Sequence, residues 1–153
     1  MHDMKIRRVE RHDLPQVVAM IGALAAHHDD LPQTDPEMLA RDVLGDTPWV
    51  TLLVAEGTEG LAGYAALCPL VQLQFGARGM DMHHLFVTPQ HRGCGLGRAL
   101  IDASCQAALG LGCLYLAVGT HPDNDAAQRF YENAGFSRTS GGPRFRIRLD
   151  RAS

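Results

Sequence analysis

Apolar residues recur along the chain with two periods, and the switches between them mark out the elements. Met4 to Val9 predicts an opening strand, with Ile6 and Val9 turned toward a core. Leu14, Val17, Val18, Ile21, Leu24 and Ala25 then fall at helical spacing behind Asp13-Leu-Pro, which reads as an N-cap followed by a first-turn proline. Thr34-Asp35-Pro36-Glu37 repeats that signal and opens a second helix to about Leu44, with Met38, Leu39 and Val43 inward. The branched run from Trp49 to Glu56 predicts a strand, Gly57 to Gly60 a turn, and Leu61 to Leu70 its antiparallel return. Gln72 to Gly79 reads as a loop and Met80 to Val87 as a further strand. Leu96, Leu100, Ala103 and Ala107 give a helix to about Leu109, and the unbroken apolar run Cys113 to Val118 reads as a buried strand. Ala126 to Asn133 predicts a last helix stopped by Gly135, before a closing pair of strands, Phe136 to Thr139 and Phe145 to Leu149, around Gly141-Gly142-Pro143. The predicted order is β-α-α-β-β-β-α-β-α-β-β, an α/β chain without repeat or linker, expected to form one domain over residues 1–153.

Composition narrows the classes of function. With 46% hydrophobic and 20% charged residues, the chain is that of an ordinary globular protein. A formal net charge of −3 and the lack of a basic run argue against a nucleic-acid partner. The apolar stretches stop short of a bilayer span, and Met-His-Asp-Met-Lys-Ile-Arg-Arg has no apolar signal core. Cysteines 68, 94, 105 and 113 form no C-x-x-C pair, so reduced thiols in the cytoplasm are the expectation. No metal is expected, because adjacent pairs such as His27-His28 and His83-His84 seldom chelate one ion and H-E-x-x-H spacing is missing. A nucleophile elbow is also missing.

The chemistry concentrates in residues 84–98. The strand Leu85-Phe86-Val87 stops at Pro89; Gly93, Gly95 and Gly97 follow, flanked by Arg92 and Arg98, and a helix begins at the glycines. A helix start leaves backbone N–H groups unpaired at its positive end, and glycines let an anion approach them. The dinucleotide fingerprint fails, since the sixth position counted from Gly93 is Arg98, and the nucleoside-triphosphate loop is absent. What stands is R-x-x-G-x-G, Arg92 to Gly97, after a strand ending in Val-Thr-Pro. This resembles the pyrophosphate loop of the GCN5-related N-acetyltransferase (GNAT) family. Asn124, with Tyr131 seven residues on in Phe-Tyr-Glu-Asn-Ala-Gly-Phe, resembles the same family's later motif. Met-Leu-Ala-Arg-Asp-Val-Leu-Gly-Asp before Pro-Trp looks most like the diamine (spermidine, spermine, thialysine) acetyltransferase branch.

The resemblance implies a mixed, mostly antiparallel sheet of about seven strands with about four helices, and acetyl-CoA as co-substrate. It implies that the backbone of Leu85, Phe86 and Val87 takes the pantetheine arm, that Gly93, Cys94, Gly95, Leu96, Gly97 and Arg98, with Arg92, take the pyrophosphate, and that Asn124 hydrogen-bonds the cofactor. Direct transfer then makes three demands. A primary amine of pKa near ~10.4 must lose its proton, which costs roughly 4.6 kcal/mol at pH 7. An imidazole, ordinarily near ~6.5, is largely free to accept it. His83 is the expected base, at a position where this branch tends to carry an acid; His84 is the reserve, pointing to the opposite face unless a bulge intervenes. The carbonyl oxygen needs a donor, which the resemblance places at the strand backbone near Val87. The leaving thiolate needs a proton, and Tyr131 matches the family's general acid. A phenol near ~10 serving a thiol near ~8.5 works about 2 kcal/mol uphill.

The acceptor is expected to be a small-molecule amine, polyamine-like or amino-acid-like, drawn in by Asp29 and Asp30 between the first two helices. The family implies a homodimer. Two rivals stand beside this reading: a protein or peptide N-acetyltransferase, and a catalytically silent acyl-CoA-binding module that kept the cradle.

Overall fold

The computed structural model describes residues 4–139 and 143–149. Residues 4–119 and the described residues from Thr120 onward form two compact units. The first unit contains a five-stranded sheet in sequential order: β1 (Lys5–Arg8), β2 (Thr51–Gly57), β3 (Gly60–Gln72), β4 (Ala77–Val87) and β5 (Cys113–Val118). The first four strands pair antiparallel and β5 joins β4 in parallel. Helices α1 (Leu14–His27), α2 (Pro36–Leu44) and α3 (Leu96–Gly110) belong to this unit, and α4 (Asp125–Asn133) to the second.

Strand alternation sends side chains to two faces, and each face is covered by helices. One carries Leu52, Val54, Tyr64, Ala66 and Phe86, packed with Leu14, Val17 and Met20 of α1 and Leu39, Ala40 and Val43 of α2. The other carries Ala55, Ala62 and Ala65, whose small side chains admit Leu96 and Leu100 of α3, with Leu85 and Val87 alongside.

Asp35 caps α2 as its sequence predicts, its carboxylate accepting from the Met38 N–H at 2.8 Å. Asp13 differs. It is buried and accepts two bonds from the Arg7 guanidinium, at 2.7 and 2.9 Å, and one from the Glu10 N–H. Arg7 also reaches Glu56 at 3.0 Å, so the pair ties β1, β2 and the entry to α1 together. The Arg7 guanidinium holds the Asp13 carboxyl below its ordinary range. A capping signal thus marked a buried ion pair, because Asp13 sits where Arg7 at the end of β1 can reach it.

Other expectations are corrected. Met38 is exposed, lying at the edge of the α2 stripe, and β5 is only partly buried, with Leu114 75% exposed. Residues 72–79 are not a loop: a short 3-10 turn occupies Leu73–Phe75 and β4 begins at Ala77. Among the described residues the sheet has five strands where about seven were expected. Residues 136–139 and 143–149 form no strand, and the turn foreseen around Gly141 and Gly142 lies outside the described residues.

Replacing Arg7 by Met leaves the Asp13 carboxylate buried without its countercharge, and urea unfolding at pH 7 is expected to show a loss of about 3 kcal/mol. Arg7→Met with Asp13→Leu is expected to recover most of it; a single-mutant loss within ~0.5 kcal/mol would show the pair to be of surface strength.

Candidate functional site

The site is built where β4 loses one of its neighbours. The parallel pairing with β5 runs from Arg78 opposite Cys113 to Met82 opposite Val118 and ends there. Beyond Met82, among the described residues, no strand flanks β4 on that side, although pairing with β3 continues to Gly63 opposite Val87. The direction of the freed groups follows from the ladder. Thr88 N–H donates to the Ala62 carbonyl at 2.8 Å. Antiparallel bonds alternate along a strand, so Phe86 and His84 also turn their main-chain groups toward β3. Leu85 and Val87 therefore present theirs to the open edge. The Val87 carbonyl does face outward, for it accepts the Arg92 Nε–H at 2.8 Å.

The chain then passes a 3-10 turn, Pro89–His91, and enters the glycines. Gly93 and Gly95 both take left-handed backbone, with φ of 79° and 86°, conformations that strain any residue with a Cβ. Gly95 is the N-cap of α3, and its carbonyl accepts from Ala99. The N–H groups of Leu96, Gly97 and Arg98 then point out of the helix without intrahelical acceptors. Fifteen residues of α3 stand behind them, so the partial positive charge of the helix end falls on the same spot. The Leu96 side chain is buried in the core and anchors the turn. This cradle of uncharged donors fits a diphosphate, and the open edge of β4 leads straight into it.

The two arginines are placed differently from each other. Arg92 folds back, with Nε on Val87 and its guanidinium 5.5 Å from the centre of the Phe86 ring. Arg98 is exposed on the first turn of α3, with Asp102 at 3.7 Å. Cys94 is exposed and its thiol donates to the His91 carbonyl.

The histidines sit on a bulge. Ala66 of β3 faces His84, and the next residue, Leu67, faces Met82, so His83 is the extra residue in β4. A bulge breaks strict alternation. The two rings accordingly lie on one side, stacked with centroids 4.2 Å apart and planes 14° from parallel. His83 is exposed and His84 half-buried, its Nδ1 3.0 Å from the hydroxyl of Tyr64. Burial, followed by the charges of His83 and of His28 at the end of α1, pushes the His84 pKa down to about 4. A group so disposed to stay neutral is a poor proton acceptor at neutral pH.

Asp29 and Asp30 lie in the exposed turn after α1. Asp29 has φ of 59° and the Asp30 N–H returns to the Ala25 carbonyl, so this acidic pair also closes the helix. In the second unit Asn124 caps α4, its Oδ1 accepting from the Ala127 N–H at 3.0 Å, which leaves its amide NH₂ for another partner. Tyr131 is half-buried between Phe130 and Phe136, and burial raises its phenol pKa. As an acid it is therefore weaker than a free phenol. Sequence reasoning missed Tyr64 and His28. Gly-Tyr-Ala inside an apolar run reads as packing, and nothing in its spacing points to a histidine 20 residues away.

The comparisons with known proteins agree with this geometry. The Acetyltransferase (GNAT) family model matches residues 16–136. The chain is 27% identical to the L-methionine sulfoximine/L-methionine sulfone acetyltransferase of Salmonella typhimurium, over 97% of this chain and 88% of that protein. It is 26% identical to the thialysine N-epsilon-acetyltransferase of Bos taurus, over 85% of this chain and 82% of the relative. An aminoglycoside acetyltransferase from an uncultured soil metagenomic sample shares the fold, with a TM-score of 0.78 at 22% identity, covering 97% of both chains. The protein belongs to the GNAT acetyltransferase family, and it is an N-acetyltransferase.

The His84 shift makes a stability prediction. The folded chain resists protonation of His84 down to about pH 4, while the unfolded chain takes up that proton near ~6.5. The contribution is present in full above the unfolded value and is lost as pH falls from there toward 4, by at most about 3 kcal/mol. Urea titrations between pH 7 and 4.5 are expected to follow this fall, and His84→Gln to flatten it. An equal slope in the variant would assign the loss to other groups.

Proposed function

We propose that the chain moves the acetyl group of acetyl-CoA directly onto the primary amine of a small molecule. The observation that carries this is the free edge of β4 at Leu85 and Val87 running into the glycine turn before α3. The main chain of Leu85 and Val87 holds the pantetheine arm in the manner of an added strand. The N–H groups from Gly93 to Arg98, with Arg92 and Arg98, hold the pyrophosphate, and the amide of Asn124 supplies a further contact. When bound, acetyl-CoA supplies a thioester whose carbonyl is open to an amine.

The chain's own residues meet the three demands of the reaction. His83, the exposed ring of the stacked pair, takes the proton of the incoming ammonium directly or through water. The Val87 N–H, facing the open edge, donates to the carbonyl oxygen as charge develops on it. Tyr131 gives its proton to the departing thiol, and burial, by raising the phenol pKa, favours the form that carries that proton. Asp29 and Asp30 draw the cationic acceptor toward the end of α1. Relatives named for L-methionine sulfoximine and for thialysine support a small free amine. A location in the cytoplasm and a homodimeric state belong to the same reading, and the free thiols suit the former.

A peptide acceptor is the second reading. It is favoured by 28% identity over 89% of this chain to the peptidyl-lysine N-acetyltransferase YjaB of Escherichia coli. Thiol release measured over a panel of free amines and lysine peptides separates the two. Turnover of free amines at least tenfold faster is the expected result, and preference for peptides would reverse the assignment.

Tyr131→Phe is expected to lower kcat by about 100-fold, the low end for a general acid, with acetyl-CoA affinity by calorimetry changed less than about twofold. A large loss of affinity would make Tyr131 a binding residue. His83→Gln is expected to remove the acidic limb of the pH–rate profile; an unchanged limb would take the base role away from His83.

A further inference from the structure

The acetyl-transfer reading leaves the buried hydroxyl of Tyr64 unused. The Tyr64 ring is wholly buried in the core under α1 and α2, and its hydroxyl has a single hydrogen-bond partner among the described residues, Nδ1 of His84 at 3.0 Å. A phenol has one proton to give. Were the imidazole the donor, that O–H would be left without an acceptor inside the core, an arrangement proteins avoid. The O–H therefore points at Nδ1, and the imidazole hydrogen resides on Nε2. Desolvation raises the Tyr64 pKa and lowers that of His84, so both members stay uncharged at neutral pH. The titratable groups that face His84 are Tyr64 from β3, His83 beside it on β4 and His28 from the end of α1.

We propose that Tyr64 is a positioning residue for acetyl transfer: its hydroxyl fixes the tautomer and ring plane of His84, and that locked ring is the platform on which His83 lies. This rests on the reading of His83 as the proton acceptor. Stacking at 4.2 Å with planes 14° apart sets the His83 imidazole in one orientation. A platform that cannot itself take a proton also leaves a single destination for the proton of the amine. Were His84 free to ionise, a second cation would stand against protonated His83 and raise the cost of each turnover. The bulge puts the two rings on one side, with the phenol of Tyr64 on Nδ1 of the inner one.

Ring nitrogen NMR at pH 7 tests the lock without reference to turnover. The wild-type protein is expected to show His84 with an unprotonated Nδ1 and a protonated Nε2. Tyr64→Phe, which keeps the ring and removes the hydroxyl, is expected to shift His84 toward a mixture of tautomers. In the same variant kcat is expected to fall about tenfold, the worth of one hydrogen bond, with the KM for acetyl-CoA unchanged. Adding Tyr64→Phe to His84→Gln should lower kcat no further. A wild-type His84 carrying its proton on Nδ1 would overturn the lock even if no Tyr64 variant folded. A normal kcat in Tyr64→Phe with altered tautomers would overturn the positioning role. Failure of the base assignment is read separately, as the unchanged pH–rate profile of His83→Gln.

Discussion

The main-chain ladder of β4 is the constraint on which the site depends. A strand has two edges, and every N–H and C=O that does not pair along one must find a partner elsewhere or meet solvent. β4 is paired on both sides from Arg78 to Met82 and, among the described residues, on one side afterward. The strand continues because β3 holds it, and the abandoned edge keeps the regular spacing of a sheet. That spacing makes it a template for an extended ligand, in the same way that exposed sheet edges accept added strands. The glycine turn and the start of α3 follow directly, so one short stretch of chain provides a linear polar edge and then an anion cradle.

The bulge at His83 belongs to the same economy of backbone. It lies beside the last parallel pair, where β4 parts from β5, and it turns two consecutive imidazoles to the face shared with α1 and α2. His84 is half-buried, and burial first of all lowers its pKa, while the ring of His83 stacked on it is exposed. The pair is thus differentiated by depth in the sheet, with no difference in residue type.

Much of the architecture was legible because it rests on local signals. Asp35-Pro36 marks a helix start that the structure repeats to the residue, and Gly93 and Gly95 mark a turn whose φ values only glycine adopts without strain. Where reading failed, three-dimensional surroundings had decided the matter. Asp13 reads as a cap, yet its carboxylate is spent on Arg7 and the Glu10 N–H. Met38 falls on the apolar stripe of α2 and still faces solvent, because the stripe is wider than the surface it packs against. The apolar run of β5 reads as buried, whereas an edge position leaves Leu114 in water.

By itself the sequence determined the likeness to the family and the glycine turn, since both depend on residue type at short, fixed spacing. Only the tertiary structure decided which backbone groups of β4 are free, that both histidines share a face, and that Tyr64 underlies one of them. The physical reason is that strand pairing and bulges are settled between segments many residues apart. Hydrogen-bond direction and desolvation follow from that pairing, and no local pattern of side chains encodes them.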